Sequence, residues 1–64
     1  MTEELAAAAQ ARREDMIKAK RTGDIISSLD AARKYADAIE AWHKARFPGK
    51  KFRKPAAAYL LRAI

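Results

Sequence analysis

The stretch LDAARKYADAIEAWHKAR, residues 29–46, decides the fold of this 64-residue chain. Its apolar and small residues recur three and four positions apart, which is the spacing of one face of an α-helix. That face comprises Leu29, Ala32, Ala36, Ile39 and His43. Pro48 and Gly49 follow it, and because the residue before a proline avoids helical geometry, we expect the helix to end near Arg46 or Phe47. The predicted core residues are Leu29, Tyr35, Ala36, Ile39 and Trp42.

An alanine-rich helix is predicted before this one, from just after Thr2 to about Arg21. Acidic residues open it and basic residues close it, which suits the helix dipole at both ends. Gly23 is a suitable C-terminal stop, because glycine adopts the left-handed conformation without strain. Either Asp24 or one of the two serines after the isoleucine pair caps the second helix, and the sequence leaves open which of them it is.

The surplus charge lies entirely in the last third of the chain. Residues 1–43 carry eight acids and seven bases, whereas residues 44–64 carry seven bases and no acid. Pro55 then suits the first turn of a short third helix, and the chain ends in aliphatic residues. A chain this small has little core for such a segment, so we expect the segment to dock on another molecule. The predicted partner-binding residues are Lys50, Lys51, Phe52, Arg53, Lys54, Pro55, Tyr59, Leu60, Leu61 and Ile64.

The predicted fold class is therefore mainly α. A two-helix hairpin over residues 1–49 is followed, over residues 50–64, by a basic arm and a short C-terminal helix or extended docking tail. Two alternatives stay open for this part of the chain. The charge run is often a plain solvated tail, and Phe47 and Phe52 stack on nucleic-acid bases, close over the helix end or pack on a partner.

Size and composition narrow the class of protein. A domain of 64 residues buries only about 60% of its unfolded surface and has a thin core, so assembly with copies of itself or with a larger partner would stabilise it. There is no cysteine for a disulfide, and a single histidine makes a zinc site implausible. No window is apolar enough to span a bilayer, and the acidic start is unlike a secretory signal, so we expect a cytoplasmic protein. The sequence pI near 10.1 favours an acidic partner.

Catalytic motifs are absent from the sequence. It has no phosphate-cradling glycine loop, and adjacent acids such as Glu3 and Glu4 point to different sides of a helix. His43, the only imidazole, is expected to be an ordinary helix residue near a helix C-terminus. We therefore expect no enzymatic activity, no cofactor and no metal.

Three stretches resemble the small head-to-tail joining proteins of tailed phages, the gpW family. They are TEELAAA (2–8) with MIKAKR (16–21), LDAARKYADAIE (29–40), and KFRKPAAAYL (51–60). The family's second helix has a similar Leu-Lys-Lys-Tyr-Ile pattern, and its tail reads Arg-Arg-Arg-Gly-Pro before small and aromatic residues. The family fold places a β-hairpin between two antiparallel helices. Here only residues 24–27 occupy that place, so we expect a helical hairpin without the strands, with the isoleucine pair of this segment packed between the helices.

The resemblance implies a structural virion protein, assembled in the host cytoplasm, that acts as a head-tail connector or head completion protein. It would form a ring of identical copies on the portal, and its partners would be the portal and the adjacent connector or tail proteins. Non-specific contact with packaged DNA is a further option, and no membrane is involved. The alternative from another class is a small basic nucleic-acid-binding regulator of phage or plasmid origin, although no helix presents a basic face suited to a major groove.

Overall fold

The computed structural model describes residues 2–64, which form three α-helices and no strand. The helices are α1 (Thr2–Thr22), α2 (Ile25–Arg46) and α3 (Ala57–Arg62). The molecule extends 37 × 21 × 15 Å along its three principal axes. The predicted fold class, a two-helix hairpin followed by a basic arm and a short C-terminal helix, is confirmed.

The turn between α1 and α2 depends on one glycine and one aspartate. Gly23 has a φ of +79°, in the left-handed region that other residues rarely adopt. Asp24 is the N-cap of α2: its Oδ1 accepts hydrogen bonds from the amides of Ile26 (3.0 Å) and Ser27 (3.3 Å). The Ser27 hydroxyl donates to the other carboxylate oxygen at 2.8 Å. Of the cap residues left open by the sequence, Asp24 is therefore the one used.

The two long helices run antiparallel and meet through small side chains. Met16 of α1 is fully buried against Ala32 and Ala36 of α2, which are also buried. Alanine projects little from the helix surface, so the two helices approach closely and Met16 fills the space between them. Nearer the start of α1, Ala6 and Ala9 lie opposite Trp42 and Ile39 across a shallow depression of about 280 Å³.

Leu60 of α3 completes the buried core, which corrects one prediction from the sequence. Leu60 is 9% exposed and packs with Met16, Ala32 and Ala36, while Leu61 is half-buried against the same cluster. The expectation that the apolar C-terminal segment has no place within its own subunit is wrong for these two leucines. The alanines of α2 leave a hollow beside Met16, and a leucine from α3 reaches it.

The other predicted core residues lie at varied depths. Ala36 is buried, and Tyr35 is half-buried against the core cluster. Leu29, Ile39 and Trp42 are half-buried. Alanines of α1 face Ile39 and Trp42, and these short side chains leave the larger ones partly uncovered.

Candidate interaction surface

The basic arm connects α2 to α3 through a tight turn. Gly49 has a φ of +84°, and the Lys50 amide donates a hydrogen bond to the Phe47 carbonyl at 3.2 Å. Beyond the turn, residues 50–56 have no regular secondary structure. The arm therefore leaves the end of α2 in a defined direction and returns along that helix.

Aromatic packing holds the arm against the end of α2. The centroid of the Phe52 ring lies 4.6 Å from that of the His43 ring, and the centroid of the Phe47 ring lies 5.1 Å from it. Trp42 meets Phe47 edge-on, with ring centroids 6.0 Å apart. His43 Nδ1 is buried here without a hydrogen-bond partner among the described residues. This packing matches the alternative in which the two phenylalanines close over the helix end.

An ion pair makes the second attachment of the arm. Lys54 Nζ pairs with a carboxylate oxygen of Asp37 on α2. The hydrogen bond and the negative charge of Asp37 raise the pKa of Lys54. Lys50, Lys51 and Arg53 are exposed, and none of the ion pairs among residues 2–64 involves them. The arm thus presents three free cations to solvent and uses the fourth to hold its own position.

The predicted partner-binding residues beyond the arm separate into buried and exposed groups. Pro55 is half-buried, Leu60 lies in the core and Leu61 packs against it. Tyr59 is 61% exposed and Ile64 is 37% exposed, so these two side chains remain accessible to a partner. The C-terminal segment is consequently not a free tail: one side of α3 is packed internally and the other side faces solvent.

Lys20 of α1 fixes the end of α3. Its Nζ donates hydrogen bonds to the carbonyl oxygens of Leu61 at 2.6 Å and Ile64 at 2.9 Å. A cation bound to the free carbonyls at a helix C-terminus is a favourable arrangement, because these groups have no partner within the helix. All three helices are therefore joined at the end of the molecule that carries the α1–α2 turn.

An apolar groove opens at that same end, and we call it the turn groove. Its volume is about 520 Å³, which is in the range of ordinary ligand and peptide pockets. Its apolar lining includes Ile25, Leu29, Ala58 and Leu61, and its charged lining is Lys20 and Arg62. Because α3 supplies one wall, the C-terminal segment forms a groove of its own subunit, whereas the sequence predicted that this segment docks on another molecule.

Two isoleucines at the start of α2 were not among the predicted interaction residues. Ile25 is 72% exposed and Ile26 is 80% exposed, although both are large and apolar. Leu29 lines both the turn groove and the depression beside Ile26, so the two apolar regions adjoin. The expectation that this pair packs between the helices is wrong, because Met16 and two alanines of α2 fill the contact between α1 and α2, while the pair lies at the very start of α2 beside the turn.

Comparison of the chain with protein-family models, with curated proteins and with solved structures finds no match. No helix in residues 2–64 is long and apolar enough to cross a membrane. Within the same residues, no group of histidine, aspartate and glutamate side chains is placed to hold a metal ion. The function is therefore inferred from the geometry of the surface.

Proposed function

We propose that this protein is a small structural component that joins larger parts of a protein assembly, in the manner of the head-tail connector proteins of tailed phages. In that role, copies of the chain form a ring on a portal and offer a surface to the next connector or tail component. The protein would then belong to the virion. Its role would be to bind other proteins.

One observation carries this proposal. The buried core among residues 2–64 contains only two large side chains, Met16 and Leu60, while two isoleucines at the start of α2 are more than 70% exposed. Exposed aliphatic side chains on a domain with so small a core favour association, because burial against a partner removes apolar surface from water. The turn groove and the exposed side of α3 extend this accessible apolar surface.

The free cations of the arm suit the same role. Lys50, Lys51 and Arg53 are accessible and carry charge that acidic side chains of a portal, or phosphates of packaged DNA, would neutralise. The arm is attached through Phe52 and Lys54, so its cations are presented at a defined place instead of on a freely moving tail.

The direct test mixes the purified chain with a phage portal ring, taken from the genome that encodes the chain. We expect the two to elute together in size-exclusion chromatography and the chain to appear as a ring in electron micrographs of the complex. Ile26→Ser should weaken the association without unfolding the chain, since Ile26 is 80% exposed. Arg13→Ser, a change on exposed α1 surface, is the matched control. A chain that stays apart from the portal at all ratios would contradict the connector role.

The arm also favours a second candidate, a nucleic-acid-binding regulator. If its three free cations each neutralise one phosphate, the logarithm of the duplex-binding constant should fall with the logarithm of salt concentration with a slope of about −2.7. Affinity would then drop about 40-fold between about 50 and 200 mM salt. Fluorescence anisotropy with a labelled duplex measures this slope. Tight binding that the triple change of these cations to serine removes would favour the regulator over the connector.

A further inference from the structure

We infer that the turn groove binds an amphipathic α-helix of a protein partner, whose apolar face enters the groove and whose flanking residues are acidic. This inference rests on the proposed function, because both require a protein partner. It adds the chemical character of that partner and the place on this chain where it binds.

The shape and lining of the groove favour a helix. The groove is open to solvent, and its apolar walls come from the first turns of α2 and from α3. Two neighbouring depressions share lining residues with the groove: Leu29 also lines the one beside Ile26, and Lys20 also lines the one beside Ile17 and Ile64. An apolar strip of this kind accepts the side chains that a helix presents three and four residues apart.

The charges around the groove favour acidic flanks. Lys20 and Arg62 line it, and Arg21 and Arg33 line the adjoining depressions. The three arginines make no ion pair among residues 2–64. Carboxylates beside the apolar face of a docked helix would meet these cations, and complementary charge both speeds encounter and selects the partner.

The acids near the groove do not neutralise this rim. The Asp24 carboxylate already accepts three hydrogen bonds at the start of α2. Asp30, which lies beside Arg33, is paired with Lys34 at 3.3 Å. The rim of the groove therefore stays cationic.

The same charges argue against other occupants. Two copies of the chain joined face to face through their grooves would bring the cations of one rim against those of the other, which is unfavourable. Nucleic acid would find aliphatic side chains and no aromatic ring on which a base could stack. An anionic membrane matches the charges, but a groove with walls from two helices suits a single projecting helix face better than a lipid surface.

The experiment uses the full chain and two fluorescent peptides of about 18 residues, long enough to be helical. Both carry the same leucine-rich face; glutamates flank it in one peptide and lysines in the other. In fluorescence anisotropy we expect the acidic peptide to bind and the basic peptide to bind at least about tenfold more weakly. Ile25→Ser should weaken acidic-peptide binding about tenfold, the usual effect of losing one apolar anchor.

Matched variants separate the groove from general charge attraction. Arg62→Glu should weaken binding roughly three- to tenfold, because it reverses charge on the groove wall. Arg13→Glu makes the same change in net charge on an exposed site of α1 and should leave binding unchanged. Tyr59→Ser removes an exposed apolar side chain that does not line the groove and should also have no effect.

Equal binding of both peptides, or equal losses from Arg13→Glu and Arg62→Glu, would overturn the inference. So would self-association of the chain that Ile25→Ser abolishes. Binding to phosphatidylserine vesicles that depends on Ile25, while neither peptide binds, would favour a membrane instead. If Ile25→Ser fails to fold, Arg62→Glu still decides the outcome. Binding to the portal ring is measured separately. A chain that joins the ring but ignores the acidic peptide disproves this inference alone, and a chain that binds the peptide but not the ring disproves the connector role alone.

Discussion

Leu60 and Met16 supply nearly all of the large apolar side-chain surface in the buried core. Leu60 comes from a helix of six residues, which is too short to be stable unless it is docked. The burial of this side chain, together with the packing of Leu61 and the hydrogen bonds from Lys20, therefore holds α3 in place, and α3 in turn forms a wall of the turn groove.

We predict that Leu60→Ala lowers the free energy of unfolding by about 2–5 kcal/mol, because it removes buried methyl groups and leaves a cavity. A domain of this size has only roughly 3–10 kcal/mol in total, so the variant should be partly unfolded on mild warming. Urea titration followed by circular dichroism measures the change. Tyr59→Ala, next to it but 61% exposed, should shift the free energy by less than about 0.5 kcal/mol. Equal losses of unfolding free energy in the two variants would mean that Leu60 is not the residue of α3 that packs in the core.

The N-cap carboxylate of Asp24 gives a prediction about pH. The Ser27 hydroxyl and amide, with the Ile26 amide, hold the pKa of Asp24 below its ordinary value of 3.8. A lowered folded-state pKa means that the contribution to stability is present above pH 3.8 and is lost as the pH falls through the lower folded value. We expect Asp24→Ala to melt at a lower temperature than the parent chain at pH 7, with a smaller difference at pH 2.

Asp24→Asn tests the origin of that effect. Asparagine keeps an oxygen that accepts from the same amides but has no charge to lose, so it should retain more stability than alanine at pH 7. Melting temperatures measured from pH 7 to pH 2 compare the three chains. An Asp24→Ala deficit that is identical at both ends of the range would mean that the ionised cap contributes nothing.

At the level of the elements, two contacts on different turns of α2 hold the basic arm in place. Phe52 packs on His43 near the end of the helix, and Lys54 pairs with Asp37 nearer its middle. The ion pair is exposed, and exposed pairs contribute little to stability. Aromatic packing should therefore be the stronger of the two attachments.

We predict that Phe52→Ala releases the arm while leaving α2 folded, since it removes the ring that covers His43. NMR order parameters of the amides of residues 51–54 should fall, and those in the centre of α2 should stay unchanged. Ile26→Ala, a change of similar kind at the opposite end of α2, is the control and should leave the order parameters of the arm as they are. Unaltered order parameters in Phe52→Ala would show that the ion pair alone suffices.

At the scale of the whole molecule, the architecture depends on how closely α1 and α2 approach. Ala32 and Ala36 are buried at the place where Met16 lies between the helices. Larger side chains there would push the helices apart and would also displace Leu60. The position of α3, and with it the shape of the turn groove, follows from these two small residues.

Ala36→Leu should therefore destabilise the protein by about 1–3 kcal/mol, the usual cost of overpacking a close contact. Ala41→Leu makes the same change at an exposed position of the same helix and should alter stability by less than about 0.5 kcal/mol. Urea unfolding of both variants gives the comparison. A neutral Ala36→Leu would mean that the helices are not in close contact at this point.

The bounds of the helices were largely predictable, because local signals mark them. Gly23 and Pro48 end the two long helices, and the three-four spacing from Leu29 onward defines the second. The core was predicted less well. Periodicity identified Ala36, but it could not show that Leu60, far away along the chain, would pack beside it.

For the candidate interaction surface too, local features were predictable and contacts between distant residues were not. The sequence showed a cationic arm and an apolar end, and in the structure the arm is exposed at three of its cations, whereas part of the apolar end is buried. It did not reveal the turn groove, whose walls come from the start of α2 and from α3, separated by about thirty residues. Nor did it show that Lys54 would pair with Asp37, leaving three cations of the arm free.

By itself, the amino-acid sequence determined the helical class, the places where the two long helices end, and the segregation of charge, because each depends on residues near one another along the chain. Only the tertiary structure decided which apolar side chains are buried and which stay accessible. The physical reason is that burial depends on the space that distant residues leave: alanines on α2 make room for Leu60, while nothing in residues 2–64 covers Ile25 and Ile26.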